Sequence, residues 1–135
     1  MPSSTTSSEP RVLLVDDNDA MIARAASALT PGCLVVGAAK EGQAALEAAG
    51  ALHPDVIVLD ISMPGMTGLE IACHLRRAGS TAALVFLTVH DEDEIVSAAR
   101  AAGGIGYVVK WRLASDLRFA VEEAVAGRQF VSPIR

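Results

Sequence analysis

Cysteine, long apolar runs and targeting signals are scarce or missing in this sequence. The two cysteines, Cys33 and Cys73, lie far apart and form neither a CxxC pair nor a Cys/His ligand set. Both are therefore predicted to be small buried hydrophobic residues in a reducing compartment. No segment approaches the roughly 18 apolar residues that a membrane-spanning helix needs. The start, MPSSTTSSEP, has neither the basic nor the apolar region of a signal peptide, so we expect a cytoplasmic protein with no membrane partner.

Positive charge is also in short supply. Lysine and arginine together number 11 against 16 aspartates and glutamates, which leaves a net charge of -5. A chain with this net negative charge is not expected to bind nucleic acid by itself. Apolar side chains are abundant, since 51% of the 135 residues are hydrophobic, which is enough for the core of one domain. Residues 1–10, rich in serine and threonine, offer nothing to bury and are predicted to form a disordered tail.

The most informative stretch is PDVIVLDISMPGMTGLE, residues 54–70. Its apolar run is short, rich in β-branched residues and bounded by prolines, which predicts a strand buried on both faces. The run ends on Asp60, and the turn-forming residues after it must reverse the chain. Asp60 is therefore expected at the carboxyl end of a strand, the edge at which α/β sheets bind ligands. Taken alone, the residue could equally well do no more than end the strand or cap the turn.

Strand and helix patterns alternate along the rest of the chain. The predicted strands are Arg11–Val15, Leu34–Ala38, Val56–Asp60, Ala83–Thr88 and Gly106–Lys110. The predicted helices are Asn18–Leu29, Glu41–Ala49, Gly68–Arg77, Asp91–Ala102 and Ser115–Ala126. This alternation predicts a doubly wound α/β domain of the (βα)5 type, a flavodoxin-like three-layer sandwich with a parallel sheet of order 2-1-3-4-5.

Polar residues stand at the ends of four of these strands. Asp16 and Asp17 follow the first strand, while Asp60, Thr88 and Lys110 end the third, fourth and fifth. Because parallel strands all end at one edge of a sheet, these side chains are expected to converge on one cleft. Crowded carboxylates raise one another's pKa unless a cation joins them, and Mg²⁺ (or Mn²⁺) accepts such oxygen ligands. With a lysine and a hydroxyl beside it, the cleft suits a dianionic phosphoryl group, and Asp60 can be its covalent acceptor.

The segments VLLVDDN, PDVIVLDISMPGMTGLE, VFLTVHD and GYVVK resemble, in order and spacing, the CheY-like receiver domain of two-component response regulators over about residues 11–127. The resemblance implies that Asp60 is the phosphoacceptor, that the donor is a phosphohistidine on a sensor histidine kinase, and that the chain is a signalling domain rather than an enzyme. It also implies a metal site formed by Asp16, Asp17, Asp60 and the backbone carbonyl of Ser62, with Asp17 as a direct ligand.

The same resemblance implies how the domain switches. Thr88 would be the switch hydroxyl, Lys110 the phosphate-binding lysine and Tyr107 the switch aromatic. The ring of Tyr107 is expected to turn inwards after phosphorylation and to change the surface formed by the fourth helix, fifth strand and fifth helix.

Two positions depart from the pattern of the family. Trp111 replaces the proline that often follows the lysine, so whether the Lys110–Trp111 bond is cis stays open. Val89 is larger than the residue many members carry after the switch hydroxyl and is expected to shield the phosphoryl group from water. Together with Val89, Ser62 and His90 are candidates for tuning hydrolysis. For Ser62, a turn hydroxyl bonded to its own backbone is at least as good an interpretation, and for His90 a solvated loop residue is the favoured one.

Residues 128–135 resemble the start of the linker in regulators of the NarL/FixJ type, which continue into a LuxR-type output domain. We expect an excised receiver domain, with a stand-alone receiver as the alternative. DNA would then be bound only through an output domain outside this sequence, and phosphorylation is expected to promote a homodimer.

Two other functions compete with this reading. A phosphatase-like hydrolase with an aspartate nucleophile is disfavoured, because such enzymes usually carry DxD and a cap, whereas Ser62 follows Asp60 at that spacing. A degenerate receiver that binds partners without phosphorylation is disfavoured, because the acids, the hydroxyl and the lysine are all in place.

Overall fold

The computed structural model describes residues 9–89 and 93–132. The strands are β1 (Arg11–Val15), β2 (Leu34–Ala39), β3 (Val56–Asp60), β4 (Ala83–Thr88), β5 (Gly104–Val109) and β6 (Phe130–Val131). The helices are α1 (Asp19–Leu29), α2 (Gly42–Leu52), α3 (Gly68–Arg77), α4 (Asp93–Ala101) and α5 (Leu113–Val125). A 3₁₀ turn, Lys110–Arg112, joins β5 to α5.

The strands form one parallel sheet of order β2-β1-β3-β4-β5-β6. The predicted order 2-1-3-4-5 is confirmed, and β6 is an addition to it. This short strand pairs Phe130 with Gly106 and Val131 with Tyr107, inside a segment that was predicted to be the start of a linker. Two residues are too few to show a strand period, so the sequence carried no signal for this pairing.

Helices cover both faces of the sheet, as a doubly wound fold requires. On one face, α2, α3 and α4 enclose a core that includes Leu59, Ile71 and Phe86. On the other face, α1 and α5 pack over a second cluster that includes Val58 and Leu117. Every residue of β3 is buried, because the strand lies inside the sheet with helices on both sides. The continuous apolar run before Asp60 is therefore a consequence of its position.

Two helix caps fix the loops that follow β1 and β3. Asn18 accepts a hydrogen bond from the amide of Met21 at 3.0 Å and begins α1, as predicted. Thr67 accepts from the amide of Glu70 at 3.2 Å, and the Glu70 carboxylate accepts from the amide of Thr67 at 2.9 Å. This capping box begins α3 within a few residues of Asp60.

Several predicted boundaries differ from the structure. Strand β5 ends at Val109, so Lys110 begins the 3₁₀ turn instead of ending the strand. Helix α5 begins at Leu113, two residues before the predicted start. The predicted start of α4 at Asp91 lies outside the described residues, and so does the predicted tail apart from Glu9 and Pro10. The carbonyl of Pro10 accepts from the amide of Leu34 at 2.8 Å, so the sheet's hydrogen bonding extends back to this residue.

The two cysteines differ in their surroundings. Cys33 is buried, as predicted, and burial raises the pKa of its thiol. Cys73 is exposed on α3, so the prediction that it is buried is wrong. The helical period places it beside exposed His74 on the outer face of α3, while Ile71, Ala72 and Leu75 are buried. No helix in the described ranges combines the length and the apolar character needed to cross a lipid bilayer.

Candidate functional site

The predicted polar strand ends meet at one edge of the sheet. Asp16 follows β1, Asp60 ends β3, Thr88 ends β4 and Lys110 follows β5. Asp16, Asp60 and Thr88 are almost completely buried, whereas Asp17 is exposed at the mouth of the cleft. One carboxylate oxygen from each of the three aspartates lies within 4.8 Å of the others. The parallel sheet thus brings together residues that are up to 94 positions apart in sequence.

Asp60 lies at the centre of this cluster. Its Oδ1 accepts a hydrogen bond from the backbone amide of Ser62 at 3.1 Å and lies 3.2 Å from Nζ of Lys110. Burial raises the pKa of the Asp60 carboxyl above its ordinary value, and the negative charge of Asp16 raises it further. The Lys110 ammonium and the Ser62 amide oppose this shift. A further positive charge at the site would favour the ionised carboxylate that nucleophilic attack requires.

The two oxygens of Asp16 differ in their hydrogen bonding. Its Oδ1 accepts from the backbone amide of Asn18 at 2.9 Å. Its Oδ2 is buried and accepts no hydrogen bond from any described residue, although Nζ of Lys110 lies 3.4 Å away. A buried carboxylate oxygen without a donor is costly unless a cation compensates it. This oxygen, beside the carboxylates of Asp17 and Asp60, fits a hard divalent ion such as Mg²⁺.

Gly68 lets the first turn of α3 approach the backbone of Asp60. A Cβ at this position would collide with the carbonyl group of Asp60 and with Cα of Ile61. The amide of Gly68 donates to the carbonyl of Ile61 at 3.0 Å, which closes the loop that contains Ser62. Ser62 itself is exposed. Gly68 is among the turn-forming residues that follow Asp60 in the sequence, and the structure shows that close packing also requires a glycine here.

Tyr107 lies under the same edge and is already turned inwards. Its side chain is buried, its hydroxyl donates to the carbonyl of Gly104 at 3.0 Å, and its ring stacks on Phe86 with a centroid distance of 6.3 Å. The guanidinium carbon of Arg100 lies 5.8 Å from the ring centroid. Burial raises the pKa of the Tyr107 hydroxyl, and Arg100 partly offsets this. The ring of Tyr107 is therefore already buried in this structure. The inward turn expected after phosphorylation would need a ring that starts outside the core.

Two exposed apolar side chains flank the cleft. Val89, directly after Thr88, is 54% exposed, and Trp111, directly after Lys110, is 60% exposed. The Lys110–Trp111 peptide bond is trans, since the described residues contain a cis bond only before Pro31. His90, the third residue predicted to tune hydrolysis, lies outside the described residues.

A second polar cluster, around Asp116, was not predicted. Asp116 accepts from Nε of Arg112 at 2.8 Å and from the hydroxyl of Ser132 at 2.8 Å, while Ser115 Oγ lies 3.1 Å from its other oxygen. Burial alone would raise the pKa of Asp116, but the hydrogen bonds from Arg112, Ser132 and Ser115 outweigh it and hold the pKa below its ordinary value. Asp116 and Ser132 are 16 residues apart and follow no shared period, so no sequence signal links them.

Comparisons with known proteins point to one family. The response regulator receiver domain family matches residues 12–122. The nitrate/nitrite response regulator protein NarL of Escherichia coli strain K12 is 35% identical over 127 residues, which cover 92% of this chain and 59% of that protein. The chain thus spans less than two thirds of the length of this curated relative.

Solved structures of response regulators share the fold of this chain. The signal receiver domain of NarL from Mycobacterium tuberculosis aligns with a TM-score of 0.83 and 34% identity, over 89% of this chain and 98% of that one. A LuxR-family two-component response regulator from Aurantimonas sp. SI85-9A1 aligns with a TM-score of 0.85 and 32% identity, over 93% and 91% of the two chains.

Proposed function

The chain belongs to the response regulator receiver domain family, and we propose that Asp60 accepts a phosphoryl group from a sensor histidine kinase and thereby switches a surface of the domain. The observation that carries this proposal is the setting of Asp60. It is a buried carboxylate with an ammonium 3.2 Å away and two further carboxylates positioned to share a divalent ion. Such a site can neutralise the negative charge of a phosphoryl group.

The transfer itself needs little from the protein besides position and charge. A carboxylate oxygen of Asp60 forms a bond to phosphorus while the phosphorus–nitrogen bond of the donor histidine breaks, and the electron pair of that bond leaves with the imidazole. Mg²⁺, when bound by Asp16, Asp17, Asp60 and the Ser62 carbonyl, would neutralise charge on the phosphoryl oxygens. Lys110 supplies the second positive charge, and its ammonium already lies beside the acceptor oxygen.

Thr88 and Tyr107 would carry the signal away from the acceptor. The hydroxyl of Thr88, at the end of the neighbouring strand, would donate to a phosphoryl oxygen and draw the loop after β4 towards the site. Because Tyr107 is already buried against Phe86, its role would be to hold α4 and β5 in register as that loop moves. The surface formed by α4, β5 and α5 would change as a result.

The proposed function also implies an output domain and self-association. The relatives' greater length and the LuxR-family neighbour support an output domain beyond this chain, which would bind DNA and regulate transcription. Phosphorylation would promote self-association through the switched surface.

Val89, which is exposed beside Thr88, would slow hydrolysis of the phosphoryl group, and Ser62 and His90 are further candidates for tuning it.

Intact-mass spectrometry after incubation with acetyl phosphate and Mg²⁺ tests the proposal. We expect one phosphoryl group that is labile to acid, to base and to hydroxylamine, absent without Mg²⁺ and absent in Asp60→Asn. The matched control is Asp55→Asn, because Asp55 is exposed at the opposite edge of the sheet. A single labile phosphoryl group that persists in Asp60→Asn would overturn the acceptor assignment. Sustained turnover of small phosphate esters would instead support a hydrolase.

A further inference from the structure

Residues 129–132, which follow α5, are bonded to the rest of the domain through two side chains, those of Ser132 and Gln129. The Ser132 hydroxyl accepts from the amide of Val109 at 3.2 Å and donates to Asp116 at 2.8 Å, and Ser132 is 2% exposed. With the Gln129 amide placed so that its oxygen and not its nitrogen faces Arg100, this oxygen accepts from Nη2 and Nε of the guanidinium at 2.6 and 2.8 Å. We call residues 129–132 the clasp segment.

Backbone hydrogen bonds complete the attachment. Strand β6, inside the clasp segment, pairs with β5, and the amide of Ser132 donates to the carbonyl of Tyr107 at 2.8 Å. The apolar contribution is small, because Phe130 is half-buried and Val131 is 41% exposed. A segment with few buried apolar contacts depends on its hydrogen bonds to stay in place and is among the first parts of a fold to open.

One of the two side-chain contacts adjoins the phosphoacceptor site, and the other lies on α4. Val109 directly precedes Lys110, and Arg112, which holds Asp116, closes the 3₁₀ turn that Lys110 begins. Arg100, the partner of Gln129, belongs to α4, the helix that follows β4, and its guanidinium lies over the ring of Tyr107. The clasp segment is therefore linked to the residues on both sides of Lys110 and to α4, the helix that follows β4 in the chain.

We propose that the clasp segment is the output lever of the domain and that filling the phosphoacceptor site loosens it. This inference rests on the proposed function and adds the route by which the site reaches the chain beyond α5. Lys110, drawn towards a phosphoryl group on Asp60, displaces Val109 and Arg112 together. Thr88, drawn the same way, moves α4 and with it Arg100. Both contacts already have the distances of well-formed hydrogen bonds, so displacement at either end lengthens and weakens them.

Amide hydrogen exchange in the whole 135-residue chain measures the position of the clasp segment directly. Beryllofluoride with Mg²⁺ serves as the probe, and its binding is followed separately by ¹⁹F NMR. We expect exchange of the Ser132 amide to accelerate at least tenfold on binding, while the amide of Leu14 in β1 is unchanged. Bound beryllofluoride with unchanged Ser132 exchange overturns the lever and leaves the proposed function standing. No Mg²⁺-dependent binding of the probe overturns both.

Variants test the same coupling from the other end. Linkage requires that a segment loosened by the ligand, when loosened by mutation, increases affinity for that ligand. Gln129→Ala removes one contact at an exposed position, so the fold is expected to persist, and we expect beryllofluoride to bind at least threefold more tightly. Ser132→Ala should act in the same direction.

The matched control for these variants is Arg128→Ala. Arg128 lies directly beside the clasp segment and forms an ion pair with Glu123 at 2.9 Å, and among the described residues no hydrogen bond or ion pair joins this pair to α4 or to the 3₁₀ turn. Its removal is expected to leave beryllofluoride affinity unchanged. Equal affinities in Gln129→Ala, Arg128→Ala and the parent would contradict the coupling.

Discussion

Nζ of Lys110 lies 3.2 Å from Oδ1 of Asp60, although β4 stands between their strands in the sheet. The lysine therefore reaches across the end of β4 to the acceptor. It also lies 3.4 Å from Oδ2 of Asp16, so one ammonium is shared by two buried carboxylates. An incoming phosphoryl group would compete with both for this charge, which makes Lys110 the link between acceptor chemistry and movement of the turn that follows β5.

Replacing Lys110 tests this link. Lys110→Met keeps much of the side-chain volume and removes the charge, so phosphorylation of Asp60 by acetyl phosphate is expected to slow at least tenfold. Mg²⁺ should bind as tightly or more tightly, because a competing cation has gone. The control is Lys40→Met, which removes an exposed lysine paired with Asp19 at 3.0 Å. Similar phosphorylation rates for the two variants would exclude a role for Lys110 in transfer.

Mg²⁺ is expected to stabilise the fold, because it binds the assembled carboxylates and not the unfolded chain. Mass action predicts a gain of about 2.7 kcal/mol in the free energy of unfolding at a hundredfold excess over Kd. Urea unfolding with and without Mg²⁺ at matched ionic strength measures it. Asp17→Asn, at an exposed position, should remove most of the gain without a large loss of stability in the absence of Mg²⁺. An equal gain in this variant would exclude Asp17 as a ligand.

Gly68 should tolerate no side chain. In Gly68→Ala the new Cβ would meet the Asp60 carbonyl group, and overpacking of this kind costs about 1–3 kcal/mol of unfolding free energy. Chemical denaturation provides the measurement. Gly50→Ala is the matched control, since the position is helical and, apart from the neighbouring residues and backbone of its own helix, no atom lies within 4 Å of the Cβ that alanine would add. There the substitution should stabilise by roughly 0.5–1 kcal/mol, and a comparable loss in both variants would contradict the packing argument.

The pH dependence of stability should report the Asp116 cluster. A carboxyl group whose pKa is lowered by folding stabilises the native state above its ordinary pKa, and this contribution is lost as pH falls through the lowered value. Asp116→Asn is therefore expected to cost about 1.5–3 kcal/mol near pH 7, the range for hydrogen bonds to charged groups. The deficit should shrink as the pH falls below 4. A deficit that stays constant from pH 7 to pH 3 would mean that charge is not what Asp116 contributes.

Trp111 is expected to report occupancy of the site, because it is the sole tryptophan and directly follows Lys110. Beryllofluoride with Mg²⁺ should change its fluorescence in the parent. Thr88→Ala should bind Mg²⁺ normally and lose most of this response, whereas Thr81→Ala, at an exposed position at the opposite edge, should keep it. A full response in Thr88→Ala would show that the signal does not pass through the hydroxyl, while Asp60 could remain the acceptor.

The sequence by itself determined the sheet and the residues at its edge. Buried parallel strands must be short continuous apolar runs, so Val56–Asp60 and its counterparts could be recognised without the structure. Once the strands are parallel, their carboxyl ends share one edge, which brings Asp16, Asp60 and Lys110 together whatever the details of packing.

Tertiary structure alone decided the contacts that leave no period in the sequence. The pairing of β6, the bond from Ser132 to Asp116 and the position of Gln129 against Arg100 join segments whose local patterns are independent of one another. The inward position of Tyr107 is decided in the same way. The strand pattern does not determine the orientation of this ring. Its position is set by its packing against Phe86 and Arg100. Local propensity specifies elements, whereas contacts between distant side chains depend on how those elements pack.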